Sequence, residues 1–213
     1  MFILNQTPSI ANHFIAELRD SKVQNDRQRF RKNMERMGEV LAYEISKTLP
    51  YEKRQVQTPL GEAQEYVLSE RLVLATILRA GLPFHQGMLN FFDKADSAFI
   101  SAYRKHHQGG AFEIKMEYLS APNIQDAILI LSDPMLATGA SMEIVLKNLL
   151  EHGQPKQVHI AAIIASTDGL DRIRRLFPEA QIWLGALDEE LTAKAYIVPG
   201  LGDAGDLAYG KKE

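Results

Sequence analysis

Residues 128–141 read Ile128-Leu129-Ile130-Leu131-Ser132-Asp133-Pro134-Met135-Leu136-Ala137-Thr138-Gly139-Ala140-Ser141. Four apolar residues end in a small residue and an acid, and a loop of small and hydroxyl residues follows. An amphipathic helix comes next, with Ile144, Val145, Leu146, Leu149 and Leu150 carrying most of its apolar stripe. Strand, acid, small-residue loop and helix form the arrangement with which an α/β protein grips a phosphorylated sugar. The loop N–H groups and the positive helix end face the phosphate. The acid at the strand tip reaches the sugar hydroxyls.

Other short apolar runs bounded by loops surround this segment: Leu72–Leu78, Ser97–Tyr103, Ala127–Leu131, Val158–Ala165 and Gln181–Leu187. They read as buried strands. Helical segments fall between them near Pro83–Phe92, Ser141–Glu151 and Leu170–Phe177. His152-Gly153 stops the second and Asp168 caps the third. Alternating strand and helix predicts a mostly parallel sheet with right-handed crossovers and ligands at the carboxyl ends of its strands. Asp133 and the loop carrying Arg79 both fall there.

Toward the N-terminus, Thr7-Pro8-Ser9 reads as a helix start, with the cap before a first-turn proline. A longer helix is predicted from near Asn25 to Leu49, with Phe30, Met34, Met37, Leu41 and Ile45 on one stripe. Its basic residues Arg27, Arg29, Arg31, Lys32 and Arg36 read either as a solvated face or as a subunit contact. Lys105–Phe112, polar and glycine-rich, reads as a hairpin tip between strand-like runs 97–103 and 113–119, covering the site. Adjacent His106 and His107 would point apart on a regular element and read as solvated loop residues rather than metal ligands.

The chain has 213 residues, enough for one good core. Apolar residues make up 46% and charged residues 24%, as in ordinary globular domains. A net charge of −3 does not suggest a nucleic-acid scaffold, though local basic residues can still bind a phosphate. The absence of cysteine removes disulfides and thiolate zinc sites, and is compatible with a reducing cytoplasm. The opening Met1-Phe2-Ile3-Leu4-Asn5-Gln6 lacks the basic and long apolar parts of a signal peptide. No apolar run approaches the roughly 18 residues of a membrane span. One domain over residues 1–213 is expected, with the helices of about 7–49 packed on it or at a subunit interface.

Three segments together resemble the type I phosphoribosyltransferases. Asp133-Pro134-Met135-Leu136-Ala137-Thr138-Gly139 is similar to the loop that binds phosphoribosyl pyrophosphate (PRPP) in uracil phosphoribosyltransferases. Ile77-Leu78-Arg79-Ala80-Gly81-Leu82 resembles the pyrophosphate-side loop of that family. Tyr196-Ile197-Val198-Pro199-Gly200-Leu201-Gly202-Asp203-Ala204-Gly205-Asp206 resembles its uracil segment. Order and spacing agree over nearly the whole chain. The resemblance implies a type I phosphoribosyltransferase fold: a mostly parallel central sheet flanked by helices, with a small hood and a β-hairpin arm. It implies transfer of the 5-phosphoribosyl group from PRPP to N1 of uracil, giving UMP and pyrophosphate.

On that resemblance the PRPP site comprises Arg79, Arg104, Asp133, Pro134, Met135, Leu136, Ala137, Thr138, Gly139, Ala140, Ser141 and Asp203. Asp133, Arg79 and Arg104 are the catalytic candidates, and Ile197, Gly202, Asp203 and Ala204 line the uracil. The chemistry suits these residue types. Gly139 lets backbone approach the phosphate, and Thr138 and Ser141 can donate hydroxyls. Asp133 suits the ribose hydroxyls and a cationic ring; the alternative is an acid that satisfies nearby backbone donors. Arginine forks match phosphate oxygens and stay charged. Main-chain groups along a pyrimidine edge would leave the cytosine amino group facing a donor. The resemblance also implies a strained or cis peptide beside Arg79.

The implied cofactor is Mg²⁺, arriving on the pyrophosphate with its waters and held in part near Asp203, with no direct protein ligand set expected. The implied partners are uracil and PRPP and a second copy in a homodimer or larger homo-oligomer. A GTP effector is compatible with the resemblance; nucleic acid and membrane are not expected. Three departures stand out. Ala140 replaces a usual glycine, Pro83-Phe84-His85-Gln86 replaces a glycine-methionine continuation, and Leu207-Ala208-Tyr209-Gly210 follows Asp206 where a basic residue is usual. Two rival readings stand beside it: a catalytically weak pyrimidine- or PRPP-binding regulator of the same fold, and a nicotinamide-dependent oxidoreductase. The second lacks a G-x-G-x-x-G fingerprint after an early strand.

Overall fold

A computed structural model describes the backbone of residues 1–106 and 112–212, and the side chains of residues 1–101 and 116–212. In chain order, the elements are β1 (Phe2–Ile3), α1 (Ile10–Arg19), α2 (Arg27–Ser46), β2 (Tyr51–Thr58), β3 (Gly61–Leu68) and β4 (Leu72–Leu78). There follow α3 (Gly81–Leu89), β5 (Asp96–His106), β6 (Phe112–Ser120), β7 (Ile128–Ser132), β8 (Met135–Leu136) and α4 (Ala140–Leu149). The chain closes with β9 (Gln157–Ser166), α5 (Thr167–Leu176), β10 (Gln181–Asp188), β11 (Glu190–Leu191), β12 (Ile197–Val198) and α6 (Ala204–Tyr209).

The main sheet runs β1-β10-β9-β7-β4-β5-β6, with β8 also paired to β9. Every pairing in it is parallel except β5 with β6. A parallel sheet must be covered on both faces, and the strands show why it is. In β4, Leu72 and Leu74 join one core while Val73, Ala75 and Ile77 join the other. In β7, Ile128 and Ile130 face the first core and Leu129 and Leu131 the second. The first core takes its cover from α1, α2, α3 and α6, the second from α4 and α5. The expected α/β layering is therefore present.

Helix α2 presses closely on α3. A Cβ at Gly87 would overlap the backbone of Glu35, so only glycine permits this crossing. The crossing fixes α3, and with it the Arg79 loop just before it.

Helix starts differ from expectation in two places. Ser9, not Thr7, caps α1: its hydroxyl accepts from the Ala11 N–H at 3.3 Å, and Asn12 answers by accepting from the Ser9 N–H at 2.8 Å. That reciprocal pair satisfies two helix-start donors, and Pro8 lies outside the helix. Ser166, not Asp168, caps α5, accepting from the Gly169 N–H at 3.0 Å. Asp168 sits inside the first turn, where its charge still suits the helix dipole.

The basic face of α2 is tied largely to this chain's own elements. Arg29 pairs with Glu17 of α1, and Arg31 donates to the Ala208 carbonyl at 2.7 Å and lies over the Tyr209 ring. Neither free solvation nor a subunit contact is needed to explain those two residues. The Lys105–Phe112 tip falls largely at 107–111, outside the described residues. Its flanking strands β5 and β6 pair as a hairpin, as expected.

A second hairpin, β2–β3, went unforeseen. It stands off the main sheet, and most of its residues are exposed on both faces. Alternation marks a strand only where one face is buried, so periodicity was silent here. The turn Thr58-Pro59-Leu60-Gly61 was the available signal.

Two buried histidines set an acid limit on stability. Burial pushes His85 and His159 each down to about 4 from an ordinary 6.5. The Trp183 indole N–H donates to His159 Nδ1 at 3.1 Å, so a proton there would oppose N–H to N–H. Between pH 6.5 and 4 the unfolded chain binds protons that the folded chain does not. Stability from this source is thus complete above 6.5 and is lost on acidification toward 4. The expected slope approaches about 1.4 kcal/mol per pH unit for each histidine. Urea melts across this range check it, and an unchanged unfolding midpoint would contradict it.

Candidate active site

A cleft of about 870 Å³ opens at the carboxyl ends of β4 and β7. The chain leaves β4 through a cis Leu78–Arg79 peptide into Arg79 and Ala80, and α3 begins at Gly81. The unusual peptide expected beside Arg79 is present. Ile77, Leu78, Arg79 and Ala80 line this side of the cleft.

Leaving β7, the chain enters the acid and the loop. The Asp133 N–H donates to the Ala161 carbonyl at 3.1 Å, and Asp133 Oδ1 accepts from the Met135 N–H at 3.2 Å. The carboxylate therefore organises its own turn while also lining the cleft. The loop is tied to its neighbours at two further points. The Ile164 N–H donates to the Pro134 carbonyl at 3.0 Å, and the Ser166 hydroxyl donates to the Ala137 carbonyl at 2.6 Å. One serine thus caps α5 and holds the loop, which is how a structure preorganises a site from behind.

Gly139 adopts φ 74°, a left-handed conformation that side chains resist, and a Cβ there would press on the Gly169 carbonyl at 3.1 Å. Ala140 is the first residue of α4 and has no positive φ, so its methyl replaces the usual glycine without backbone strain. Ala137 and Ser141 line the cleft beside Asp133 and Met135. Pro134, Leu136 and Gly139 are buried, and Thr138 and Ala140 are half-buried in the loop between the cleft-lining Ala137 and Ser141. The Thr138 hydroxyl accepts from the Ala140 N–H at 3.4 Å, a turn within the loop.

The third wall is the hood formed by β11, β12 and the start of α6. A partly buried ion pair fastens its base: Arg19 of α1 reaches both oxygens of Asp188, at 2.8 and 2.7 Å, and donates to the Gly200 carbonyl at 3.0 Å. The Gly200 N–H returns to Asp188 Oδ2 at 2.8 Å. Ile197, Gly202, Asp203 and Ala204 all line the cleft from this side. The 203–206 stretch is a capped helix start rather than a loose turn: Asp203 Oδ1 accepts from the Asp206 N–H at 2.9 Å.

Arg79, Asp133 and Asp203 thus come together in one cleft, with uracil-segment main chain beside them. Arg104 lies in β5, but its side chain is outside the described residues, and of adjacent His106 and His107 only the backbone of His106 is described. The Pro83–Gln86 departure does not touch the cleft. Pro83 sits in the first turn of α3, while Phe84 and His85 are buried. The Leu207–Gly210 departure lies on α6 and its cap, where Ala208 is buried and Arg31 lies over the Tyr209 ring.

Ala193, Lys194 and Ala195 of the hood and Lys212 line the cleft unforeseen, and Tyr196 and Asp206 line it at the two ends of the quoted uracil segment. Lys194 lies two residues before Tyr196, which opens the quoted segment, and its charge next to that segment was the readable signal.

A parallel sheet carrying an acid-and-glycine loop at one strand end, an arginine loop at the next and a hood above them defines a type I phosphoribosyltransferase. Comparison with solved structures agrees. The "AQ2163 protein from Aquifex aeolicus" superposes with a TM-score of 0.88 at 33% identity, covering 99% of this chain and 98% of that one. A hypoxanthine phosphoribosyltransferase from Staphylococcus aureus shares the fold at a TM-score of 0.51 and 13% identity, over 76% of each chain.

Within that class, the family model described as uracil phosphoribosyltransferase matches residues 4–211. The uracil phosphoribosyltransferase of Porphyromonas gingivalis is 57% identical over 205 residues, 96% of this chain and 95% of that protein. That of Pyrococcus furiosus is 39% identical over 201 residues, 92% and 84% of the two chains. The chain belongs to the uracil phosphoribosyltransferase family, and its activity is PRPP-dependent conversion of uracil to UMP. Neither the regulator nor the oxidoreductase reading finds support among these relatives.

Proposed function

We propose that the cleft divides the work of phosphoribosyl transfer as follows. The 137–141 loop and the start of α4 cradle the 5′-phosphate. Asp133 holds the ribose hydroxyls and faces the positive charge that builds on the ring as the C1–O bond breaks. Arg79, joined by Arg104 from the β5–β6 hairpin, stabilises the departing pyrophosphate. Uracil lies against the main chain of Ile197 and Gly202–Ala204, and N1 bonds to C1 as its proton passes to water. Fixed charges placed where charge develops carry most of the acceleration. The observation that carries this reading is the convergence of Arg79, Asp133 and Asp203 on one cleft.

The donor set fits Mg²⁺ brought in on pyrophosphate rather than a resident metal. Among the described residues no group of three or more His, Asp or Glu could hold an ion. Asp203 and Asp206 line the cleft, and Asp203 Oδ1 is engaged in capping α6. Asp203 would then act through one oxygen or a bound water, and the ion when bound would offset pyrophosphate charge.

A homodimer or larger homo-oligomer is part of the proposal. The β2–β3 hairpin supports it, because a two-stranded hairpin exposed on both faces is marginal alone in water. Among the described residues no helix is long and apolar enough to cross a membrane. A cytoplasmic site of action is proposed on the cysteine-free composition. No described residue is assigned to a GTP effector.

Pyrophosphate release tests the proposal. With PRPP and Mg²⁺, release is expected with uracil, with UMP as the coupled product. Cytosine and a base-free control should give at most about one hundredth of that rate, by the cost of an unpaired donor in a polar site. Equal release with cytosine would remove main-chain recognition of the base.

A further inference from the structure

We propose that Asp206 is a positioning residue that couples the pyrophosphate-side arginine to the uracil segment; this rests on the assignment of pyrophosphate to Arg79 made above. Arg79 and Asp206 reach the cleft from different elements, the end of β4 and the first turn of α6. Arg79 Nη2 donates to Asp206 Oδ1 at 3.3 Å and to the Gly210 carbonyl at 3.1 Å. A single guanidinium nitrogen therefore holds α6 at both its first turn and its C-terminal cap.

The chain of contacts continues toward the base. The Asp206 N–H donates to Asp203 Oδ1, and Asp203 and Ala204 line the uracil side of the cleft. Packing is close throughout: a Cβ added at Gly205 would lie 3.2 Å from Asp203 Oδ1 and 3.7 Å from Arg79 Nη2.

The pair is also incomplete. Arg79 Nε is buried and has no hydrogen-bond partner among the described residues. Among the described residues the fork is engaged through Nη2, whereas an arginine–carboxylate pair can use two parallel bonds. Asp206 thus holds the guanidinium without saturating it. An anion that takes the remaining donors must share Arg79 with α6, and any shift of the guanidinium is carried to both ends of that short helix. Asp203 and Ala204 move with its start. Pyrophosphate at one wall and uracil at the other are linked through an element both of them bias, which is the physical requirement for coupling between sites.

The test measures uracil affinity by calorimetry on the whole chain, with and without saturating magnesium pyrophosphate. The ratio of the two affinities is the coupling factor. Wild-type protein is expected to show coupling of roughly 5- to 150-fold. Asp206→Asn, which keeps shape and removes charge, should bring the factor to within about twofold of unity, and Asp206→Glu should restore most of it. Arg79→Lys keeps the positive charge but not the two contacts from one guanidinium nitrogen to α6, and should also lose coupling, so it serves in place of Asp206→Asn if that variant fails to fold. The double variant should lose no more than either single one.

A structural role for Asp206 would change uracil affinity equally with and without pyrophosphate. That result, or a wild-type factor of one, overturns the proposal. The underlying assignment fails separately: Arg79→Ala would then leave pyrophosphate affinity unchanged. If Arg79→Ala weakens pyrophosphate binding while Asp206→Asn keeps full coupling, only the present inference falls.

Discussion

Asp133→Asn is expected to lower kcat by about 10²–10³-fold, with uracil affinity changed by less than about threefold. The substitution is nearly isosteric. An asparagine oxygen can still accept from the Met135 N–H, as Asp133 Oδ1 does at 3.2 Å, so the turn should survive. What disappears is the negative charge that the proposed mechanism places against the ribose as C1 becomes cationic. An interaction stronger in the transition state than in the bound substrate appears in kcat, not in base binding. Steady-state kinetics with PRPP varied, together with uracil binding by calorimetry, separates the two. If kcat and uracil affinity fall in parallel, Asp133 serves only to build its turn.

Arg79→Ala is expected to reduce kcat/KM for PRPP by about 10–1000-fold, divided between a higher PRPP requirement and slower chemistry. On the proposed assignment the guanidinium meets the departing charge, and it also holds α6 through Asp206 and Gly210. Its loss should therefore loosen the hood start as well as weaken pyrophosphate stabilisation. The pair is about a third exposed on each side, 36% and 35%, so the folded state should survive its loss with little change in melting temperature. Unaltered kinetics in this variant would take Arg79 out of the site.

Both predictions concern residues readable in the sequence, and the reason is local. Asp133 and Arg79 each follow a buried, mostly apolar strand, and a parallel sheet places strand ends on one rim. Apolar runs and their boundaries are local properties, so β4, β7, β9 and β10 were legible to within a residue or so. Gly139 was legible as a point of close backbone approach, and its left-handed φ of 74° is a finding of the structure.

What escaped the sequence depended on which partner a residue finds. Thr7 and Ser9 are both good caps, and only the reciprocal bond to Asn12 selects Ser9. Asp168 could cap α5, but the Ser166 hydroxyl is placed to accept from Gly169 and to donate to Ala137 at once. Hairpin β2–β3 has no buried face to imprint a period. Asp206 carried no local sign of its contact with Arg79, because 127 positions separate the two.

The order of apolar runs, the acid and glycine of the 133–139 loop and the arginine after β4 determined, from sequence alone, a parallel α/β sheet with a phosphoribosyl-binding rim. Their information is short-range, written in burial period and in the backbone freedom of single residues. Which side chain caps, which bond ties the hood to α1 and which carboxylate holds Arg79 were decided only by tertiary structure. Such contacts join elements distant in the chain, and hydrogen bonds require donor and acceptor within about 3 Å, a condition no linear spacing encodes.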